Sequence, residues 1–214
     1  MLTLTPVSEN ALLCQHDAAP DLAAQRRWWA LANAADRLPE VAESVVGMNN
    51  LTVFVHDNAC AHALADALNA LWTQAEASDF QGKHVDIPVH YGGACGEDLA
   101  AVAAHHGISP AEVVARHTAP VYTVFMMGFQ PGFPYLGGLP EHLHTPRRAV
   151  PRTQVAAGSV GIGGSQTGVY PFASPGGWQI IGRTELPLFN AAAEPPVLLA
   201  AGDTVSFVAA SLDI

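Results

Sequence analysis

Gly128-Phe129-Gln130-Pro131-Gly132-Phe133-Pro134-Tyr135-Leu136-Gly137-Gly138 opens a segment, running to Gly182, that holds 12 Gly and 7 Pro in 55 residues. Proline fixes φ at about −65° and has no amide donor, and glycine adds backbone entropy, so no long helix survives at this density. The segment leaves room for short strands joined by tight turns. Ser159–Gly163, Gly168–Tyr170 and Trp178–Gly182 read as such strands, with Val121–Met127 ahead of them and Thr204–Val208 behind. Many short strands with Gly/Pro punctuation indicate a β-barrel or sandwich.

Upstream the texture differs. Leu2–Val7 and Ala11–Gln15 suit an opening hairpin, and Val41–Val46 and Leu51–Val55 suit a second one around Gly47-Met48-Asn49-Asn50. A helix is expected after Pro20 and through Arg37, with Leu22, Trp29 and Ala32 sharing one face and Pro39 ending it. Asn58 is placed to cap a helix reaching about Glu76, with Leu64, Leu68, Leu71 and Trp72 aligned. Val85–Tyr91 is a further strand. A helix over Glu97–His105 stops at Gly107, and Ser109-Pro110-Ala111-Glu112 forms a capping box for one ending near His117. The fold class is therefore α+β: a small α+β domain over residues 1–85, then a β-barrel or sandwich domain over 86–214.

Charge supports the division and excludes partners. Of a net charge of −10, residues 1–99 carry −9 and residues 100–214 only −1. Such a field repels phosphate backbones and anionic membranes, so neither nucleic acid nor a membrane surface is an expected partner. Cys14, Cys60 and Cys95 are scattered and odd in number, as in a reduced, cytoplasmic protein with structural thiols. The opening residues lack a signal-peptide pattern, and no apolar run is long enough to span a bilayer.

Several chemistries fall away on motif grounds. The single lysine, Lys83, has Ala77 and His84 where a P-loop needs Gly and Ser or Thr, and it lacks the Met-Lys-Met setting of a biotin carrier. Gly163-Gly164-Ser165-Gln166-Thr167 misses the serine-hydrolase elbow at its last position and sits in turn-rich β sequence. His105-His106 and His142-Leu143-His144 lack metal-ligand spacing, so no metal is expected. What remains is a proline-stiffened aromatic loop, the cluster Arg147, Arg148 and Arg152, and the polar run from Gly163 to Tyr170. Together they suit a small polar or anionic ligand.

These segments, taken together, resemble the family that includes the B subunit of bacterial 5-oxoprolinase (PxpB), the kinase inhibitor KipI and allophanate hydrolase subunit 1. The matching stretches are Gly47–Val53, Pro88–Gly93, Gly128–Gly138, Pro151-Arg152, Gly158–Ile162, Gln166–Pro171 and Ser174–Thr184. One departure is Cys95 in Gly93-Ala94-Cys95-Gly96, where the family more often has an acidic–aromatic pair. The resemblance implies a cyclophilin-like barrel for the C-terminal domain, without prolyl isomerase activity. It implies a PxpC-like direct partner and a PxpA-like third member. It also implies ATP use by the assembly, which opens 5-oxo-L-proline to L-glutamate, the chain being inactive alone. A KipI-like inhibitor of a sensor histidine kinase and a carboxyltransferase-type subunit of a urea carboxylase are the alternatives. A substrate with one carboxylate and one lactam points to Gln130, Phe133, Tyr135, Arg152, Gln166 and Tyr170 as ligand-facing groups, with Arg147 and Arg183 secondary. In that expectation Arg152 supplies the cation and the two glutamines match the amide.

Overall fold

A computed structural model describes residues 1–17, 21–56, 61–75 and 82–214. Pro20, the Asn58 cap and Cys60 lie outside these residues. The chain divides into two compact units, Met1–Phe80 and Gln81–Ile214. The division falls ahead of residue 85 because the strand from His84 onward is paired within the second unit.

The first unit comprises β1 (Thr3–Ser8), β2 (Ala11–Gln15), α1 (Leu22–Ala35), β3 (Val41–Gly47), β4 (Asn50–Val55) and α2 (Ala61–Gln74). Its strands form an antiparallel sheet in the order β1-β2-β4-β3. The Asp21 carboxylate accepts the Ala24 amide at 2.7 Å and starts α1, satisfying one of the helix's orphan donors. The inward stripe of α1 runs through Gln25, Trp28, Trp29, Leu31, Ala32 and Ala35, so Trp28 takes the place expected for the half-buried Leu22. Trp28 meets Trp72 of α2 with ring centroids 4.4 Å apart. Buried Gln25 is satisfied by the β3–β4 turn: it donates to Gly47 O and accepts from Asn49 N, both at 3.1 Å. Burial pushes the Cys14 thiol up to about 12, which makes it inert.

The second unit contains β5 (His84–Gly92), α3 (Leu99–His106), α4 (Pro110–Thr118), β6 (Tyr122–Met127), β7 (Pro134–Gly137), β8 (Arg152–Val155), β9 (Ser159–Gly163), β10 (Gln166–Val169), β11 (Ser174–Gly176), β12 (Gln179–Arg183) and β13 (Thr204–Asp213). Seven strands close into a barrel in the order β10-β7-β6-β13-β5-β12-β9, and β8 and β11 form a separate ribbon. Closure depends on β13 lying parallel to β5 along nine residue pairs from Thr204↔His84 to Asp213↔Gly92. The core gathers Ile87, Val89, Val124, Leu136, Ile162 and Val205 with Leu99, Val102 and Val113 from the two helices.

Gly107 adopts φ 64° at the end of α3, as its sequence position required. Only half of the expected capping box forms at α4. Ser109 Oγ accepts the Glu112 amide at 3.1 Å, but the Glu112 carboxylate takes the Arg116 guanidinium at 2.7 Å instead of reaching back. An i,i+4 ion pair has displaced the reciprocal bond.

One histidine sits inside the barrel. His117 is fully buried, with Tyr91 Oη at 2.9 Å from Nδ1 and Thr167 Oγ1 at 2.9 Å from Nε2. Thr167 spends its one proton on Gly161 O, so it must accept from His117 Nε2–H, and Tyr91 must donate to Nδ1. Burial lowers His117 to about 3, and the ring is neutral in the folded protein.

Candidate functional site

Phe133, Val155, Tyr170, Trp178 and Ile180 form an apolar cluster apart from the main core, with Tyr135 packed against it. Strand ends position its rings. Phe133 immediately precedes β7, Tyr135 is the second residue of β7, Tyr170 follows β10 and Trp178 precedes β12. Phe133 stands nearly perpendicular to Tyr170 (5.2 Å, 84°) and to Trp178 (5.5 Å, 82°), the edge-to-face arrangement that ring quadrupoles favour. Burial pushes the Tyr135 and Tyr170 phenols up, so both present neutral hydroxyls.

These rings wall a cavity of about 200 Å³, completed by Phe129, Pro151 and the guanidinium-bearing Arg147 and Arg148. Its size suits one small ring, being below the roughly 300–1,000 Å³ of sites for drug-sized ligands. Phe129 forms the rim. It is 60% exposed and holds φ 65°, unusual for a non-glycine residue, in a three-residue turn closed by the Gln130 amide on Gly128 O at 2.7 Å.

Glycine at 163 is required by this wall. A Cβ there would stand 2.5 Å from Trp178 Nε1 and 2.6 Å from Cδ1, so the indole could not keep its place. Gly163→Ala is expected to cost roughly 1–3 kcal/mol by overpacking and to change the Trp178 near-ultraviolet circular dichroism. Denaturant unfolding with both signals unchanged would contradict that packing.

The arginines are organised by a carboxylate that the sequence reading did not single out. Asp98, just ahead of α3, is 7% exposed at its side chain; Oδ1 accepts from Arg148 Nη1 at 3.0 Å and Arg152 Nη2 at 2.8 Å, and Oδ2 accepts the Ile180 amide at 2.7 Å. Arg152 Nε also pairs with exposed Glu97 at 3.1 Å. The Asp98 hydrogen bond is the main cause holding Arg152 still more firmly protonated than a free guanidinium.

The structure thus brings Phe133, Tyr135, Tyr170 and Arg147 to one cavity. It places the other expected groups elsewhere. Arg152 is turned to Asp98 and Glu97 and does not line the cavity; Arg148 does. Gln130 lies on a broader depression of about 500 Å³ across Phe129, with Met127, Pro131, Val197 and Leu199. Gln166 starts β10 with its Nε2 buried and without a protein partner, and Arg183 is exposed at the end of β12. Ser165 is at the exposed tip of the β9–β10 hairpin beside Gly164 (φ 68°), a strand-to-strand turn and no nucleophile elbow. Thr167 belongs to the His117 network. His106 bonds Thr145 Oγ1 and His144 bonds Leu139 O, each at 3.0 Å, which accounts for one member of each histidine pair.

Residues 2–199 match the family model described as carboxyltransferase domain, subdomain C and D. The chain belongs to that family. Within the carboxyltransferase subdomain C and D family, it is 50% identical over 213 residues to the 5-oxoprolinase B subunit of Haemophilus influenzae, covering 100% of both chains. The crystal structure of TTHA0988 superposes with a TM-score of 0.80 at 33% identity over 94% of this chain, which spans 40% of that protein. The Kluyveromyces lactis urea amidolyase shares the fold, with a TM-score of 0.82 at 20% identity over 98% of this chain and 15% of that one. The family resemblance read from the Gly/Pro motifs and the barrel expected of them are both borne out.

Proposed function

We propose that this chain is the B-type member of an ATP-dependent 5-oxoprolinase that converts 5-oxo-L-proline to L-glutamate, and that it is inactive alone. The observation that carries this is the end-to-end 50% identity with a 5-oxoprolinase B subunit. An unstrained lactam resists water, so its oxygen must be activated before attack, and ATP supplies that activation in the assembly. The chain has no P-loop, and its aromatic cavity of about 200 Å³ suits a small ring better than a nucleotide; the ATP is used by the assembly. The PxpC-like protein is the direct neighbour and the PxpA-like protein the third member, with the assembly in the cytoplasm. No described helix is long and apolar enough to cross a membrane.

The substrate contacts are placed at Phe133, Tyr135 and Tyr170, with Arg147 beside them. The urea amidolyase likeness is one of fold only, which leaves the urea carboxylase reading without its own support. Expression of the chain in a strain lacking its own PxpB tests the proposal. Restored growth on 5-oxoproline as nitrogen source is expected, and failure with the protein present and folded would overturn it.

The same reading assigns the cavity rim to the interface with the PxpC-like partner. Phe129 is 60% exposed and Val150, next to wall residue Pro151, is 76% exposed. Apolar residues this open on turns suit a covered surface, and a stable interface buries about 1,200–2,000 Å². Phe129→Asp with Val150→Asp is expected to weaken co-elution with that partner at least about tenfold. Unchanged co-elution would move the interface elsewhere.

A further inference from the structure

We propose that the aromatic cavity binds the substrate's carboxylate through Arg148, and that Asp98 is the positioning residue that presents this guanidinium. The inference rests on the 5-oxoprolinase reading for the substrate's identity but on geometry for the site.

Charge is the first observation. The chain carries −10 overall with only nine basic side chains, yet two of these, Arg147 and Arg148, line one small cavity whose other walls carry no carboxylate. A cationic cleft with low-dielectric aromatic walls concentrates field and attracts a small anion. Donor accounting is the second. Arg148 and Arg152 share Asp98 Oδ1, yet Arg148 Nε and Arg152 Nη1 are buried without a protein acceptor. Buried guanidinium donors are normally satisfied, and leaving them empty is costly. Arg148 is also the better placed of the two for a ligand: it lines the cavity and keeps 36% of its side chain exposed, against 14% for Arg152.

Asp98 fixes the direction of this fork. Its Oδ2 is tied to the barrel through the Ile180 amide, so Oδ1 is a rigid anchor for Arg148. The Arg148 amide also donates to Gly177 O at 2.7 Å, joining the backbone of the arginine loop to the turn that carries Trp178. The aromatic rings take the flat face of the lactam, and Arg148 selects the acid. The ligand class is a small cyclic amide bearing one carboxylate.

The test titrates the full chain with 5-oxoproline and with neutral 5-oxoprolinamide, following the Trp178 indole N–H by NMR, identified with Trp178→Phe. 5-oxoproline is expected to shift this signal and to bind about tenfold or more tightly than the amide, the worth of one charged hydrogen bond. Arg148→Ala should abolish that preference and Arg148→Lys should restore part of it. Asp98→Asn should reduce the preference while leaving amide binding intact, whereas a merely structural role would weaken both ligands equally. Equal affinity for the two probes in the wild type, no shift of Trp178, or an unchanged preference in Arg148→Ala would overturn the proposal. Growth complementation reports on the 5-oxoprolinase reading separately, so the failure of one is distinguishable from the failure of the other.

Discussion

Acidification from pH 6.5 toward 3 is expected to cost the barrel about 1.4 kcal/mol per pH unit through His117 alone. His117 titrates near 6.5 in an unfolded chain and is lowered to about 3 by burial. Between those values the unfolded chain holds one more proton than the folded one, so stability rises with pH across the window. The contribution is fully present above 6.5 and is lost progressively as pH falls toward 3. Over the whole window the loss approaches about 5 kcal/mol, comparable with the roughly 5–15 kcal/mol stability of an ordinary domain. No counter-charge rescues the imidazolium, because its surroundings are Tyr91, Tyr122, Phe207 and Thr167. Burial pushes both of those phenols up, and they stay neutral. His117→Gln keeps a donor and an acceptor without a titrating group. Denaturant unfolding at several pH values should therefore show this slope vanish in the variant, and an equal slope in both proteins would contradict the buried neutral histidine.

The second large effect is at Asp98. Its replacement by alanine leaves Arg148 Nη1, Arg152 Nη2 and the Ile180 amide without their acceptor, Arg152 keeping only exposed Glu97. Removing one partner of a buried ion pair costs about 3–5 kcal/mol, and Arg148, about a third exposed, places this one near 3 kcal/mol. The measurement is the urea midpoint of the full chain. A loss below about 1 kcal/mol would mean that the arginines find water as readily as they find Asp98.

The difference between what was legible and what was not follows the range of the interactions. The β1–β2 hairpin, the Gly107 stop and the Ser109 cap were readable because each is decided within a few residues. The Gly/Pro density between Gly128 and Gly182 leaves only short strands possible, which narrows the second domain to a barrel or sandwich; the family resemblance decides for the barrel. β13 was read only as far as Val208, whereas it runs to Asp213. Its pairing with β5, about 120 residues away in sequence, holds an exposed stretch that has no alternating pattern of its own.

The site divides in the same way. Phe133, Tyr135 and Tyr170 lie in the motif-dense segment, and they do meet. Asp98 gives no such signal: in sequence it is an ordinary acidic residue in the first turn of the expected Glu97–His105 helix, whereas it stands just ahead of α3 and makes no side-chain cap bond there. Its real partners are 50, 54 and 82 residues away. The motif Pro151-Arg152 points to Arg152, whereas Arg148, the more exposed of the two, is the one that reaches the cavity. Trp178 carries only a strand signal and its place in the Ser174–Thr184 stretch, while the glycine that makes room for its ring, Gly163, lies 15 residues away.

The central claim is that this chain works as one member of a lactam-opening assembly. Its most direct test is glutamate formation from 5-oxoproline and ATP by the purified chain, alone and mixed with the proposed PxpA-like and PxpC-like proteins. No glutamate is expected from the chain alone, and ATP-dependent turnover is expected from the mixture, lost again when this chain is left out. Turnover by the single chain, or a mixture equally active without it, would contradict that role.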